Sequence, residues 1–285
     1  MNEAKQMIRF PAVAGSFYPN QADDLLRMTT ELLNKNHHEK QKTKALIVPH
    51  AGFVFSGAVA AAAYSILETD ISPIVFLIGS SHRRTFHGIA IDTSDAYVTP
   101  LGKIAVNTQI TKTLHENNPL FTPNAEPHIK EHALEVQLPF LQTIYHNHLT
   151  IVPLLLGSAS TEELNRMADA LLPYFARQEV LFMITTDLSH YPPSDIAEET
   201  DHRTTMAICT GNSDILKETL KQEAGRNYPG YQTGMCSYKA VLLLQNITGH
   251  YPNTKFQLLK YQNSGYSTLG SNESVVGYAA ISVTI

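Results

Sequence analysis

Four stretches of the chain are apolar without interruption, at 45–48, 74–78, 151–156 and 180–184. A strand with one solvated face would alternate, so these runs read as strands buried on both faces. Helical periodicity fills the intervals. Residues 21–33 read as an amphipathic helix and 161–178 as another, capped by Ser160 or Thr161. The small-residue run 58–63 reads as a helix packed close to a sheet, with Ser56 as its cap, and 127–141 as a helix carrying Leu134, Leu138 and Leu141 at helical spacing. Segments 88–92 and 97–106, with turn signals at 93–95 and 100–102, predict a hairpin-type excursion that flanks or covers a site. Residues 10–19 are too broken by Pro and Gly for a regular element and form an extended aromatic lead-in. In the polar linker 34–44, His37-His38-Glu39-Lys40 reads as solvated loop rather than a metal site. Strands at 256–261 and 274–283 close the chain. Buried strands alternating with helices predict an α/β fold.

The polar residues that stop the runs carry the chemistry. Pro49 removes a backbone donor where the first strand ends, and His50 follows in a turn containing Gly52. The second run ends in Gly79-Ser-Ser-His82, and the fourth in Asp187-Leu-Ser-His190-Tyr191 before two prolines. Ligands of open α/β sheets bind outside the carboxyl ends of the strands, so these residues should converge. Cys236 precedes an apolar helix, where the helix end lowers a thiol's pKa, while Cys209 lies inside a helical pattern and reads as core. Each histidine alone is ordinarily a core residue satisfied by a carbonyl. Three imidazoles with Asp187 and Cys236 instead suit zinc, iron or copper with a position left for an exogenous ligand. Glu131 and Glu135, four apart on a helix, repel unless a cation lies near, and His132 stands between them. Two readings stay open there: an acid-rich helix start, or a polar wall facing a cation or substrate.

Composition narrows the partners. The 285 residues are 43% hydrophobic, ample for a core, and a net charge of -5 without a long Lys/Arg cluster argues against nucleic acid or anionic membrane. A small-molecule or peptide ligand is expected. No apolar run reaches the roughly 18 residues of a membrane span, and the start lacks a signal peptide's apolar core, so a cytoplasmic location is expected. Two cysteines make no disulfide framework.

Several segments in order carry a resemblance: Pro11-Ala-Val-Ala-Gly-Ser-Phe-Tyr-Pro19, Val48-Pro-His-Ala-Gly52, Leu77-Ile-Gly-Ser-Ser-His82, Glu131-His-Ala-Leu-Glu-Val-Gln-Leu-Pro-Phe140, Thr186-Asp-Leu-Ser-His-Tyr191 and Val275-Val-Gly-Tyr278. Together they resemble the Memo family, from about residue 8 to the C-terminus. The resemblance implies one domain over 1–285 with a central, mostly parallel sheet flanked by helices, similar to class III extradiol dioxygenases, which are non-haem iron enzymes. Carried over by motif, His50, His82 and Cys236 match the family's metal-ligand positions, and Asp187 and His190 line the same pocket. A cysteine where the dioxygenases have a carboxylate favours copper or a different iron chemistry over ring cleavage. Ser237, where the family often has glycine, departs from the pattern.

Three functions follow. In a metal-dependent redox enzyme holding iron or copper, His190 oriented by Asp187 moves a proton, and Glu131, His132, Glu135, Tyr191, Arg83 and Arg84 are the candidate substrate contacts. In a non-catalytic module the same cleft takes a peptide or phosphopeptide, with Arg83 and Arg84 as cationic partners, as eukaryotic family members imply through their association with phosphorylated receptor tails. In a metal-free hydrolase or transferase, Cys236 is a nucleophile activated by His190 with Asp187 as orienter. The resemblance also implies AMMECR or radical-SAM proteins as partners in trans.

Overall fold

The computed structural model describes residues 6–36, 38–69, 72–146 and 148–285; His37 of the polar linker lies outside them. In chain order the first half carries β1 (Ile8–Arg9), α1 (Ala22–Asn34), β2 (Ala45–Val48), α2 (Phe53–Tyr64), β3 (Ile74–Ser80), β4 (Ile89–Ile91), β5 (Ala96–Thr99), β6 (Gly102–Val106), α3 (Thr108–Asn117) and β7 (Phe121–Pro123). Next come α4 (Leu138–Tyr145), β8 (Thr150–Leu156), α5 (Thr161–Phe175) and β9 (Val180–Thr185). The chain closes with α6 (Ser194–Cys209), α7 (Ser213–Gly225), α8 (Tyr238–Thr248), β10 (Lys255–Asn263) and β11 (Gly277–Thr284).

Every unbroken apolar run becomes an interior strand. The sheet runs β1-β5-β6-β8-β3-β9-β2-β11-β10, with β4 pairing β7 and β8 beside that path. From β6 to β2 all neighbours are parallel, and antiparallel β11 and β10 close that side. Alternate residues serve two cores. Ala45 and Ile47 of β2 join Phe76 and Ile78 in the layer containing α5 and α8, while Leu46 and Val48 join Val75 and Leu77 in the layer containing α2 and α4. Pro153 lies inside β8, where a missing donor should break a ladder. It falls between Ile151, which pairs β6, and Leu154, which pairs β4.

Local chemistry corrects two expected helix starts. Gly52 rather than Ser56 precedes α2, and Ser56 lies inside the helix with its hydroxyl donating to the Ala51 carbonyl at 2.9 Å. Residues 126–130 and 133–134 are turns with 131–132 irregular between them, a 3-10 turn follows at Glu135–Gln137, and the α-helix begins only at Leu138. Glu131 and Glu135 therefore do not share a helix face. The excursion at 88–106 widens the sheet: β5 and β6 pair antiparallel and link β1 to β8. No helix among the described residues is long and apolar enough to cross a membrane.

Candidate metal centre

Parallel β2, β3 and β9 end at one edge of the sheet. His50 follows β2, His82 follows β3, and Cys236 comes from the turn ahead of α8. His50 Nε2 stands 3.2 Å from Cys236 Sγ. One ligand atom each from His50, His82 and Cys236 lie within 4.8 Å of one another, and His82 belongs to a second such group with Glu131 and His132. The three imidazoles cluster, with ring centroids 4.9 Å apart for His50 and His82, 4.7 Å for His82 and His132, and 5.4 Å for His50 and His132.

Each ring of the first group is braced through Nδ1, which fixes the direction of the other nitrogen. Thr185 Oγ1 lies 3.0 Å from His50 Nδ1, and Glu131 Oε1 2.9 Å from His82 Nδ1. The buried Glu131 also accepts from the amides of His82 (2.6 Å), His132 (3.0 Å) and Ala133 (3.1 Å), so its side chain competes with helix formation there. Gly79 lets the Thr185 brace approach, because a Cβ at 79 would stand 2.7 Å from Thr185 Oγ1. Asp187 Oδ1 accepts from the His50 amide at 2.8 Å, and the Asp187 amide donates to Cys236 Sγ at 3.2 Å. Buried Ser237 uses both its groups: its amide donates to Thr186 Oγ1 and its hydroxyl accepts from the Ser80 amide, each at 3.1 Å. A glycine would keep the first bond and lose the second.

The charges sort themselves by contact. Burial pushes the Cys236 thiol up, yet the charge and hydrogen bond of His50 and the hydrogen bond from His82 outweigh it and hold the thiol well below its usual range. Burial would neutralise His82, but hydrogen bonds with Cys236 and Glu131 raise it to about 10. Glu131, against its burial, is held at about 2 mainly by His82. His132 goes the other way, lowered to about 4 by burial and then by the charge of His50. Its Nδ1 lies 3.2 Å from Glu131 Oε1 but out of line, and is buried with no hydrogen-bond partner among the described residues. Imidazole nitrogens, a thiolate and a carboxylate, with one buried nitrogen unpaired, are a donor set suited to a transition metal.

The remaining candidates take other parts than the sequence suggests. Asp187 does not orient His190, whose Nδ1 is 2.8 Å from the Leu188 carbonyl while the Asp187 carboxylate faces His50. The expected Cys236, His190, Asp187 triad is therefore not formed. Tyr191 is exposed beside His190 with φ at 73°, an uncommon conformation for an aromatic residue, held by its amide donating to the Val275 carbonyl. Glu135 is no pocket wall. It is fully buried and accepts from Arg9, from the Ala12 and Val13 amides and from the Tyr18 hydroxyl. Arg83 and Arg84 part company: Arg83 lines a groove of about 960 Å³ along residues 6–13, and Arg84 a cavity of about 530 Å³ that Cys236 also lines. Sequence reasoning passed over Thr185 and Arg9, and met Ser237 only as a departure from the family pattern. The hydroxyl pair Thr185-Thr186 directly after an apolar run was the available signal; Arg9 offered none.

A family model described as Memo-like protein matches residues 9–282. MEMO1 family protein TV1383 of Thermoplasma volcanium is 32% identical over 279 residues, covering 96% of this chain and 98% of the relative. A MEMO1 family protein of Methanosarcina barkeri is 31% identical, with 97% and 100% covered, and one of Aquifex aeolicus 30% identical, with 95% and 97% covered. Among solved structures, the uncharacterized protein JW3007 from Escherichia coli K12 shares the fold, with a TM-score of 0.55 at 12% identity, covering 84% of this chain and 99% of that one. With a family match over almost the whole length and relatives at 30% identity or more along it, the chain belongs to the Memo family.

Proposed function

We propose that this Memo-family chain is a metal-dependent redox enzyme in which His50, His82 and Cys236 hold iron or copper. The observation that carries the reading is the convergence of three donor atoms within 4.8 Å from segments as far apart as His50 and Cys236. A bound ion would supply an open coordination position and one-electron chemistry at the mouth of the cleft. The chain's own residues do the rest. Thr185 and Glu131 orient the two imidazoles, and Asp187 fixes the His50 turn through the backbone. Neutral His132 offers an unpaired nitrogen beside the ligands, and His190, tied through Nδ1, keeps Nε2 for moving a proton.

Elemental analysis of untagged protein purified anaerobically, alongside His82→Ala and Cys236→Ser, tests this. The reading expects near-stoichiometric iron or copper in the wild type and loss of it in both variants, with circular dichroism unchanged. Protein without metal in every preparation, even after reconstitution, sinks it. That result would favour a second reading, a peptide-binding module, supported by the groove of about 960 Å³ where Met7, Phe10 and Ile129 expose apolar surface beside Arg83.

A further inference from the structure

The cavity of about 530 Å³ beside Cys236 has a lopsided wall. Arg84 and Lys239 line it together with hydroxyl residues Ser80, Thr85 and Ser158, and no acidic side chain does among the described residues. Lys239 Nζ donates to the Ala159 carbonyl at 3.2 Å and has no carboxylate within 4.0 Å among the described residues. Its charge is thus met by that neutral dipole and, 6.0 Å away, by the face of the Tyr238 ring, with no formal negative charge against it. Arg84 pairs with Glu126 at 2.9 Å, but both side chains are more than half exposed and Glu126 is not part of the wall, so that pair competes weakly with a ligand. The wall also contains the start of α8, where the amides of Tyr238 and Lys239 find no acceptor among the described residues. Two cations, free helix-start amides and hydroxyls around one cavity are the furniture of an anion site.

We propose that this cavity is an anion subsite that holds the carboxylate or phosphoryl group of a small-molecule substrate and presents the rest of that molecule to the Cys236 end of the cleft. The proposal rests on the reading that Cys236 belongs to the reaction centre. It adds a substrate class, a small molecule with one anionic arm, recognised chiefly by Lys239 and Arg84.

Thermal unfolding tests the binding independently of any metal or thiol chemistry. Sodium phosphate and sodium benzoate, each against sodium chloride at equal ionic strength, are added to the wild type, Lys239→Met, Arg84→Met and the remote Lys112→Met. Ligand at ten times its dissociation constant multiplies the folding equilibrium about elevenfold. At least one anion should raise the melting temperature of the wild type and of Lys112→Met, with the gain lost in Lys239→Met and reduced in Arg84→Met. A gain with phosphate alone identifies a phosphoryl group, and one with benzoate alone a carboxylate. No gain over chloride, or an equal gain in Lys239→Met, overturns the proposal.

Alkylation then ties the subsite to Cys236. The thiolate displaces iodide from anionic iodoacetate or neutral iodoacetamide, followed by mass spectrometry of the Cys236 peptide in protein as purified and after EDTA. Relative to glutathione, the iodoacetate to iodoacetamide rate ratio should be higher, by up to about fivefold for one ion pair, and should fall in Lys239→Met. A ratio equal to that of glutathione places the anion elsewhere and refutes the assignment. The effect of EDTA reads out metal at Cys236 separately, so a failure of the metal reading leaves the ratio interpretable.

Discussion

Glu135→Gln removes one charge from a buried pair while keeping the side chain's shape. Glu135 Oε2 accepts from Arg9 Nη1 at 2.5 Å and the Ala12 amide at 2.8 Å; Oε1 accepts from the Val13 amide at 3.0 Å and the Tyr18 hydroxyl at 2.7 Å. An amide turns one of those oxygens into a donor. The Tyr18 hydroxyl can rotate to accept, so the favoured orientation points the new NH₂ toward Tyr18 and Val13. The Val13 amide is then left unpaired, at about 1–3 kcal/mol. Arg9 keeps the His128 and Glu131 carbonyls but loses its hydrogen-bonded carboxylate. Breaking a buried ion pair costs about 3–5 kcal/mol, and the remaining amide oxygen places Arg9 near the lower end. A net loss of about 4 kcal/mol, with a urea slope of about 3 kcal/mol/M, lowers the urea midpoint by roughly 1 M. The chain has no tryptophan, so far-ultraviolet circular dichroism is the probe. Arg9→Met combined with Glu135→Leu should lose less, because no charge is stranded. A Glu135→Gln midpoint within about 0.2 M of wild type would refute the idea that this pair fastens the lead-in to the site loop.

Two further outcomes follow from buried groups near the sheet edge. Asp201 is buried and pushed up to about 7 by that burial, against hydrogen bonds from Ser189 and Tyr261. Its folded pKa exceeds the unfolded value of about 3.9, so its contribution is full below about 4 and is lost as pH rises through 7. The melting temperature of wild type relative to Asp201→Asn should therefore decline between pH 4 and 8, and a flat difference would contradict the sign. Gly79→Ala pushes a methyl group against Thr185 Oγ1 and unseats the brace on His50 Nδ1. Metal affinity, measured by chelator competition, should fall about tenfold or more, and an unchanged affinity would mean the brace is dispensable.

The sheet was legible because a strand buried on both faces leaves its mark in consecutive residues. Runs such as Ile74–Ser80 needed no tertiary information to locate, and neither did the histidines just beyond their ends. Most of the misread parts depend on partners far away in sequence, although Ser56 and His190 turn to carbonyls of their own segments. Helical spacing at 127–141 was genuine, but the Glu131 carboxylate grips the His82 backbone and Glu135 grips the lead-in, which no local pattern reveals. Asp187 and His190 look like a pair because they are three residues apart. The backbone sends them to different neighbours, with the Asp187 carboxylate on the His50 amide and His190 on its own chain two residues back. Arg9 is an isolated cation in an aromatic lead-in, and only the fold places it against Glu131 and Glu135.

The contacts that shape the site are mostly not the atoms that would bind a metal. The His50 amide is tied to Asp187, the Asp187 amide to Cys236, the Ser237 amide to Thr186, the Ser80 amide to Ser237 and the His82 amide to Glu131, whose carbonyl is held by Arg9. These bonds run in series from the end of β2 through the ends of β9 and β3 to the lead-in. In all but one of them the group is a backbone amide or carbonyl bonded to a side chain that is not in the His50, His82, Cys236 set; the exception is the bond to the Cys236 sulfur. Truncating His82 leaves the backbone bond to Glu131 in place, and Cys236→Ser keeps an acceptor for the Asp187 amide. Loss of a ligand should thus empty the site at a smaller cost to its frame, part of it in His82→Ala from the imidazole withdrawn from Glu131, whereas loss of Glu135 or Gly79 disturbs the frame with all three ligands present. Metal content and unfolding free energy should separate these two groups of variants, and a His82→Ala protein that unfolds as readily as Glu135→Gln would show that ligands and frame are not independent.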